Sequence, residues 1–445
     1  TQFVTWMRGL AGEEAFPPLI EESMVAVTAG FVVSVVGLMT LSNSAFRLRR
    51  SDAHGSAAWG STQPLENRSG FVLGKTGATK LRYDGEGHLM TVAPTRSGKG
   101  VGPIVSTLLT YPGSVVVTDP KGENYAVTGP YRKHALHHEL VAFDPFGVAG
   151  GGGAINPFDI IDEADPVAID EARRLAETIV VSRGKGSANA AFFDEEARAF
   201  LAGLILHVCA RYRGPERSLA TVRDLLTRSE DEFETLLDEM ASDPSACFGL
   251  VARAANGILQ KDVRERSGVI STAKSHTHFL DSPQVARVLS HSTVPLEALK
   301  TRRISLYLII PMDLLDAYGA LLRLVVTTSI SAIVRSPVRA NDRVLFLLDE
   351  FANLGRMNSV LRAVTLLAGF GATIWMIVQN LPQLRGIYAE DWQVLLDVDV
   401  FQTFGSNDEM TSKYVSDLTG DATVFSTSQA NSRSAGRKGR GRQRS

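Results

Sequence analysis

Excess charge of either sign is missing from this sequence: 46 lysines and arginines stand against 48 aspartates and glutamates in 445 residues. A molecule that is a polycation throughout is thereby excluded, and any surface for nucleic acid has to be local. Cysteine is almost missing as well. Cys209 and Cys247 lie in apolar or helical-looking stretches without CxxC spacing or a nearby histidine pair. They read as buried thiols rather than a disulfide or a metal site, which suits a reducing compartment. The hydrophobic share of 44% and the charged share of 21% fit a globular chain and not a disordered one. The length exceeds one ordinary core, so about two or three domains are expected.

Long uninterrupted apolar runs are scarce too. Met24–Leu41 stands out, without charge or proline. As a helix it would span about 27 Å, close to the thickness of a bilayer core. A buried core helix or the apolar region of a signal peptide are the alternatives, and the flanks decide between them. Glu21 and Glu22 precede the run, and Arg47, Arg49 and Arg50 follow it. A signal peptide carries its positive charge first. Here the charge follows, which puts the downstream side in the cytoplasm. The expectation is a membrane anchor at 23–42, an outer-side segment at 1–22 and a linker at 43–68, small and polar over Ser51–Gln63. The chain begins at Thr1 and ends in a basic run, so a fragment or processed chain is expected at one or both ends.

What is present points to nucleotide chemistry. His88–Pro94 reads as a strand, Thr95–Gly100 as a glycine-bearing loop, and the following VGPIVSTLLTY as a helix with an early Pro103. Strand, loop and helix in that order are the context of a phosphate-binding P-loop, which wraps backbone N–H groups around phosphate oxygens at a helix N-terminus. The candidate binding residues are Ala93, Pro94, Thr95, Arg96, Ser97, Gly98, Lys99, Gly100 and Val101, with Lys99 reaching the β- and γ-phosphates. The strict pattern GxxxxGK[ST] is not met: Ala93 replaces its first glycine, and Gly100 replaces the hydroxyl residue that ordinarily holds Mg²⁺. The metal would then rely on water, the phosphates and Asp349, with Ser97 more remote. Taken alone, the loop reads equally as a Gly-rich turn with a surface lysine.

Other strand ends strengthen the nucleotide reading. Val344–Leu348 is a continuous apolar run suited to a buried parallel strand, and Asp349-Glu350 follows it directly. Such a pair would let Asp349 orient Mg²⁺ through its water shell while Glu350 polarises the attacking water. Burying two carboxylates there unpaired would be costly. Ala372–Asn380 is a third strand with Gln379 at its carboxyl end, either contacting the γ-phosphate or lytic water or serving as a satisfied strand-end amide. Ser114–Thr118 is a fourth, followed by Asp119, Pro120, Lys121, Gly122 and Glu123. Lys121 and Glu123 sit where ligands converge in open α/β sheets, or simply in a Pro/Gly turn. No NKxD-like guanine-reading motif occurs, so ATP is favoured over GTP.

Lys99 and Asp349 are separated by far more chain than a minimal core needs, and the intervening residues 165–295 are mostly helical by pattern. Asp194–Arg211 places Ala197, Phe200, Leu201, Leu204, Ile205 and Val208 on one face, and Val222–Met240 repeats the pattern less cleanly. Lys261–Leu280 is the most basic internal stretch and reads as a solvated helix face, with a DNA contact as the alternative. His276 and His278 point apart at i, i+2 spacing, so no metal site is read there. Beyond it, Ile304–Pro311 returns as a core strand and Tyr318–Ile333 as a helix.

With these residues laid out, the chain resembles the type IV secretion system coupling proteins, the TraG-like family of conjugative DNA-transfer ATPases. The matching stretches are APTRSGKGVG from Ala93, SVVVTDPKGENY from Ser114, FDPFG from Phe143, LLDEFANLG from Leu347, VQNLPQLRGIY from Val378 and SNDEMTSKYVSDLTG from Ser406. They occur in family order. In this family a glycine after the P-loop lysine is common. The resemblance implies an α/β, RecA-like P-loop NTPase core with an inserted all-α domain and an N-terminal transmembrane helix. By its implied boundaries the nucleotide-binding domain is split, with its P-loop half at 69–164 and its acidic-pair half at 296–425. The all-α domain lies between them at 165–295, and a basic flexible tail follows at 426–445. It further implies ATP and Mg²⁺ bound between subunits of a homo-hexamer in the inner membrane, with the ATPase domain in the cytoplasm. The implied partners are single- or double-stranded DNA with its relaxase or relaxosome, and the channel of the secretion system. Hydrolysis would drive DNA, with or without protein, into that channel. A nucleotide-binding substrate receptor that recruits without pumping is the alternative, and a protein-only translocase is a third.

Two departures from the family stand out. The family usually has two membrane helices, and one is read here. It often has an arginine before the glutamine strand that acts across the subunit boundary, where this chain has LLAGFG with Ala368 and Phe370. Arg356, Arg362 and Arg385 are the candidates for that role. The tail from Ser432 holds Arg433, Arg437, Lys438, Arg440, Arg442 and Arg444. Such a segment is expected to be disordered, and could also bind DNA with strong salt dependence.

Overall fold

The computed structural model describes residues 57–66, 68–181 and 188–421, together with the isolated helical positions Val27 and Gly30. Apart from those two positions, the segment 1–22 and the apolar run at 23–42 lie outside the described residues, as does the tail at 426–445. Residues 61–415 form one unit; residues 1–60 and 416–445 form a second, in which the Ala57 N–H donates to the Asp421 carbonyl at 3.0 Å.

The larger unit opens with a hairpin that the sequence pattern does not announce. Strands β1 (Phe71–Thr76) and β2 (Thr79–Tyr83) pair antiparallel across a two-residue turn. Gly77 takes the positive φ (+57°) that such a turn demands. β3 (Leu89–Val92) then enters the main sheet. Helix α1 (Val105–Thr110), strand β4 (Val115–Thr118), helix α2 (Glu123–His134) and strand β5 (Glu139–Phe143) follow.

Helices occupy the next stretch: α3 (Val167–Ile179), α4 (Ala188–Arg211), α5 (Leu219–Leu226), α6 (Glu230–Ala241), α7 (Leu250–Leu259), α8 (Val263–Thr277) and α9 (Pro283–Val288). The single run expected over 222–240 is two helices. Ser229 ends it by forming a capping box with Glu232 ahead of α6, which satisfies N–H groups that a helix start leaves open. Asp262 is the N-cap of α8, its carboxylate accepting from the N–H groups of Arg264 and Glu265. In the basic stretch, Lys261 pairs with Glu196 and Glu265, and Arg266 pairs with Glu234. Those two cations are therefore engaged within the helical region. Both cysteines are buried and unbridged.

The sheet resumes with β6 (Ile304–Leu308), the long helix α10 (Leu315–Arg335), β7 (Val344–Leu348), α11 (Asn358–Leu366), β8 (Ala372–Val378), α12 (Leu381–Tyr388), β9 (Val400–Thr403) and α13 (Glu409–Thr419). Among the described residues only Met312–Arg335 is long and apolar enough to cross a membrane, and most of it is buried inside the fold. It is a core helix: Leu321, Leu324, Val325 and Ile333 are fully enclosed. Burying a side chain of that size stabilises by about 1.5–3 kcal/mol.

All seven strands of the main sheet run parallel, in the order β5-β6-β4-β7-β8-β3-β9. Both faces are covered, which is why the strands are continuously apolar rather than alternating. Val344, Phe346 and Leu348 of β7 face a core shared with the helical region, while Leu345 and Leu347 face Ile104, Leu108 and Trp375 on the other side. The architecture is α/β, with β8 between the P-loop strand β3 and the acidic strand β7.

One buried cation ties α2 to this scaffold. The Arg132 guanidinium, wholly enclosed, donates to the carbonyls of Leu108 (2.6 Å), Tyr111 (3.0 Å) and Gly113 (2.8 Å) and to Ser305 Oγ (2.6 Å). His138 lies against it at 3.2 Å. The three carbonyls belong to the C-terminus of α1 and its following turn, where exposed C=O groups favour a cation.

Candidate functional site

The loop after β3 is shaped by its backbone. Ala93 is buried, and its N–H donates to the Val378 carbonyl at 2.8 Å, prolonging the β3–β8 pairing. The Ser97 N–H closes a turn onto the Pro94 carbonyl, and Arg96 (φ +64°) and Gly98 (φ +91°) are left-handed. Left-handed and right-handed residues in alternation turn successive N–H groups toward one side, forming an anion-binding concavity. Thr95, Arg96, Gly98 and Val101 are exposed around it. The helix that follows starts with a wide π-turn over Gly100–Ile104. Its cause is Pro103, which has no N–H to offer the Lys99 carbonyl. Ile104, one residue on, donates there instead at 3.3 Å. A Cβ added at Gly100 would meet nothing within 4 Å, so crowding does not explain the missing hydroxyl.

Lys99 meets the acidic pair directly. Its Nζ lies 2.8 Å from Glu350 Oε1 and 3.2 Å from Asp349 Oδ1, with the side chains of Lys99, Glu350 and Asp349 only 13%, 16% and 17% exposed. Gln379 Nε2 donates to the other Glu350 oxygen at 3.0 Å. Strand order explains that contact: with β8 between β3 and β7, the residue ending β8 falls between the P-loop and the acidic pair. Glu350 also holds a left-handed backbone (φ +53°, ψ +41°). That conformation costs a non-glycine residue about 1 kcal/mol or more, a strain that clusters at functional sites. Lys99, Asp349, Glu350 and Gln379 are thus one connected cluster, although Lys99 and Glu350 are 251 residues apart in sequence.

Electrostatics follow from burial and proximity. Burial works against the charged form of Lys99, but the carboxylates of Asp349 and Glu350 outweigh it and hold the amine above its ordinary value. Burial pushes Asp349 up, against the pull of Lys99. A site with a buried acid drawn upward and an orphaned polar atom is suited to receive further cationic charge. The orphan is Ser97 Oγ, buried within the loop with no hydrogen-bond partner. Asp349 fits a divalent ion carried by a nucleotide, and Ser97 offers a hydroxyl of the P-loop that has no other partner.

Three residues that were not among the candidate site residues complete the surroundings. Thr118 Oγ1 donates to the Asp349 carbonyl at 2.8 Å and anchors the acidic turn. Asp119, only 2% exposed, accepts from the Tyr125 N–H at 2.8 Å; burial raises its carboxyl to about 6. Gln383 Oε1 accepts from the Gln379 N–H at 3.3 Å. Thr118 and Asp119 carried a readable signal, being polar residues that end an apolar strand. By contrast Lys121 and Glu123 face solvent, in a loose 4.0 Å pair with each other. Of the candidate trans arginines, Arg356 pairs with Asp391, Arg362 with Glu177, and Arg385 is exposed on α12.

Comparison with known proteins adds independent findings. The family model described as "Type IV secretory system Conjugative DNA transfer" matches residues 54–445. A conjugal transfer protein TraG of Escherichia coli is 30% identical, across 91% of this chain and 71% of that protein. Protein VirD4 of Agrobacterium fabrum is 29% identical, across 88% of this chain and 60% of its own length. Among solved structures, the bacterial conjugative coupling protein TrwBdeltaN70 in complex with sulphate superposes with a TM-score of 0.62 at 16% identity, covering 80% of this chain and 79% of that one. Plasmid coupling protein TrwB in complex with ADP and Mg²⁺ gives 0.59 at 17% identity, covering 77% and 79%. At such identities the structures establish a shared fold.

Proposed function

The chain belongs to the type IV secretory system conjugative DNA-transfer family, the coupling proteins, and from that premise we propose that it is an ATPase that drives DNA, with or without attached protein, into a secretion channel. The observation that carries this reading is the closed contact of Lys99 with Glu350 and, through Glu350, with Gln379.

The chemistry follows from those residues. Backbone N–H groups at the loop end and helix start, Gly98–Val101, cradle the phosphates. The Lys99 ammonium transfers from the two carboxylates to the β- and γ-phosphate oxygens, exchanging one set of anionic partners for another. Glu350, released from Lys99, accepts a proton from the attacking water. Gln379, held by Gln383, stays in hydrogen-bond reach of Glu350 and of the γ-phosphate, so that loss of the phosphate changes its partner. Asp349 and Ser97 would hold Mg²⁺, which supplies charge neutralisation at the phosphates.

The complex of TrwB with ADP and Mg²⁺ supports nucleotide and magnesium as ligands here through the shared fold. Family membership supports the remaining elements of the reading: assembly as a homo-hexamer, an inner-membrane position with the ATPase domain in the cytoplasm, and the relaxosome and channel as partners. The trans-acting arginine is open to Arg356, Arg362 and Arg385. The deciding experiment measures ATP turnover by detergent-solubilised full-length protein, with and without single- and double-stranded DNA at two salt concentrations. DNA-stimulated turnover that both Lys99→Ala and Glu350→Gln remove is the expected result. Nucleotide-dependent assembly with no turnover under any condition would make the protein a recruiting receptor instead.

A further inference from the structure

An open groove of about 330 Å³ lies between α3, α10, α11 and the short turn Leu367–Phe370 that follows α11. No residue of the P-loop cluster lines it. Its walls carry large apolar side chains that face water: Val167, Val334, Leu366 and Phe370 are 38%, 38%, 64% and 40% exposed. Each comes from a different one of the four elements. Single exposed apolar residues are ordinary on a protein surface, but a contiguous set on one groove marks a surface that a partner covers.

The charged groups of the groove differ in what they have left to bond. Its three guanidiniums are engaged within the protein. Arg174 donates to Glu171 Oε1 at 2.7 Å and to Ser331 Oγ at 2.6 Å, Arg335 donates to the Ile160 carbonyl at 2.7 Å, and Arg362 pairs with Glu177 at 3.4 Å. The two carboxylates keep unused capacity. Asp170 is exposed, and among the described residues no group pairs with its side chain. Glu171 is 1% exposed, and its Oε2 is buried without a hydrogen-bond partner. An unmet buried acceptor is costly, the more so when it is charged. At the C-terminal end of α10 a second depression of about 370 Å³, which shares Arg335 with the groove, is lined by Asp159, Asp162 and Glu297. The surface is short of donors, not of acceptors.

We propose that this groove docks a segment of a partner protein in which apolar side chains recur at helical spacing among lysines or arginines. The apolar face of such a segment fills the space between Val167, Val334, Leu366 and Phe370, as an amphipathic helix lies in a hydrophobic groove. Its cations meet Asp170 and the carboxylates at the end of α10, and a donor seated against α3 completes Glu171. The same carboxylates repel a nucleic acid or an anionic membrane surface, so charge selects a basic protein segment over both. The inference stands apart from ATP hydrolysis, because the groove shares no residue with the nucleotide cluster.

The test uses detergent-solubilised full-length protein and a short fluorescent peptide of leucine and lysine in an amphipathic helical pattern, with binding followed by anisotropy. A leucine–glutamate peptide of the same pattern is the control. Leu366→Ser should weaken leucine–lysine binding by about tenfold to a hundredfold, the effect of no longer burying a leucine, and should leave its salt dependence unchanged. Asp170→Asn should weaken binding severalfold and flatten the salt dependence, a change that lost packing would not give. Both side chains are exposed, and circular dichroism checks that both variants fold. Equal binding of the leucine–glutamate peptide overturns the proposal, as does leucine–lysine binding that neither variant changes. Self-association in sedimentation that Leu366→Ser abolishes, with no peptide bound, also overturns it and assigns the groove to a second copy of this chain.

Discussion

Two buried cations, Lys99 and Arg132, are treated in opposite ways by the same sheet. Lys99 stands at the carboxyl end of the strands against two carboxylates, which hold its charge firmly. Arg132 lies between α1 and the sheet with carbonyls and a hydroxyl around it, and burial lowers its guanidinium to about 10. Full anionic partners can be traded for phosphate oxygens, because the lysine exchanges like for like. Carbonyls at a helix C-terminus belong to the backbone and have no substitute. The first arrangement is suited to a ligand, the second to permanence.

The sharpest way to break this contrast is to disturb each cation's setting and ask whether rate or stability responds. Glu350→Gln should lower ATP turnover by about 10²–10⁴-fold, the usual contribution of a general base, with the thermal midpoint nearly unchanged; turnover at the wild-type rate would remove Glu350 from that role. Arg132→Met should do the reverse. It strands three carbonyls and Ser305, and chemical denaturation should register a loss of about 4 kcal/mol or more at ~1–3 kcal/mol per unsatisfied buried group, while the folded fraction still binds nucleotide.

The pH dependence of stability separates the two regions more finely. Asp119, beside the acidic turn, titrates near 6 in the fold against 3.8 ordinarily. The native state therefore holds its proton more tightly, and the associated stability is present below about pH 3.8 and lost as pH rises through about 6. His138, beside Arg132, is pushed down to about 4 by burial and by the neighbouring guanidinium. Its contribution has the opposite sign, present above about pH 6.5 and lost as pH falls through about 4. Asp119→Asn should flatten one slope and His138→Asn the other, read from denaturation midpoints across about pH 4–7. Equal slopes in both variants would dissolve the distinction. The smallest effect on turnover is expected at Gln379: Gln379→Ala removes one amide hydrogen bond to the Glu350 carboxylate and should slow turnover by about tenfold to a hundredfold, with nucleotide affinity retained.

Much of the site was legible because each piece carries a local signature. The apolar run 344–348 ending in Asp349-Glu350 and the loop 93–100 before a helix can be recognised without knowing where they meet. Gln379 was readable as a strand-end residue but ambiguous, since its partner Glu350 is 29 residues away. The β1–β2 hairpin was missed because its strands are short and half-polar, with Lys75, Lys80 and Arg82 among them. The edge strand β9, VFQT, offered little periodicity to read. Arg132 sits in a helix with an ordinary basic C-terminal turn, and nothing local marks it as buried.

From the sequence alone came the elements, the polar residues that end them and, through ordered motifs, the family. These depend on contacts within a few residues, where burial leaves a periodic trace. Strand order was decided only in three dimensions. It sets β8 between β3 and β7, brings Gln379 to Glu350, encloses Arg132 and gathers four exposed apolar side chains along one groove. Those pairings join residues tens to hundreds of positions apart. The entropy of closing such loops grows only slowly with their length, so packing of the assembled faces selects the partners, and no local pattern records the choice.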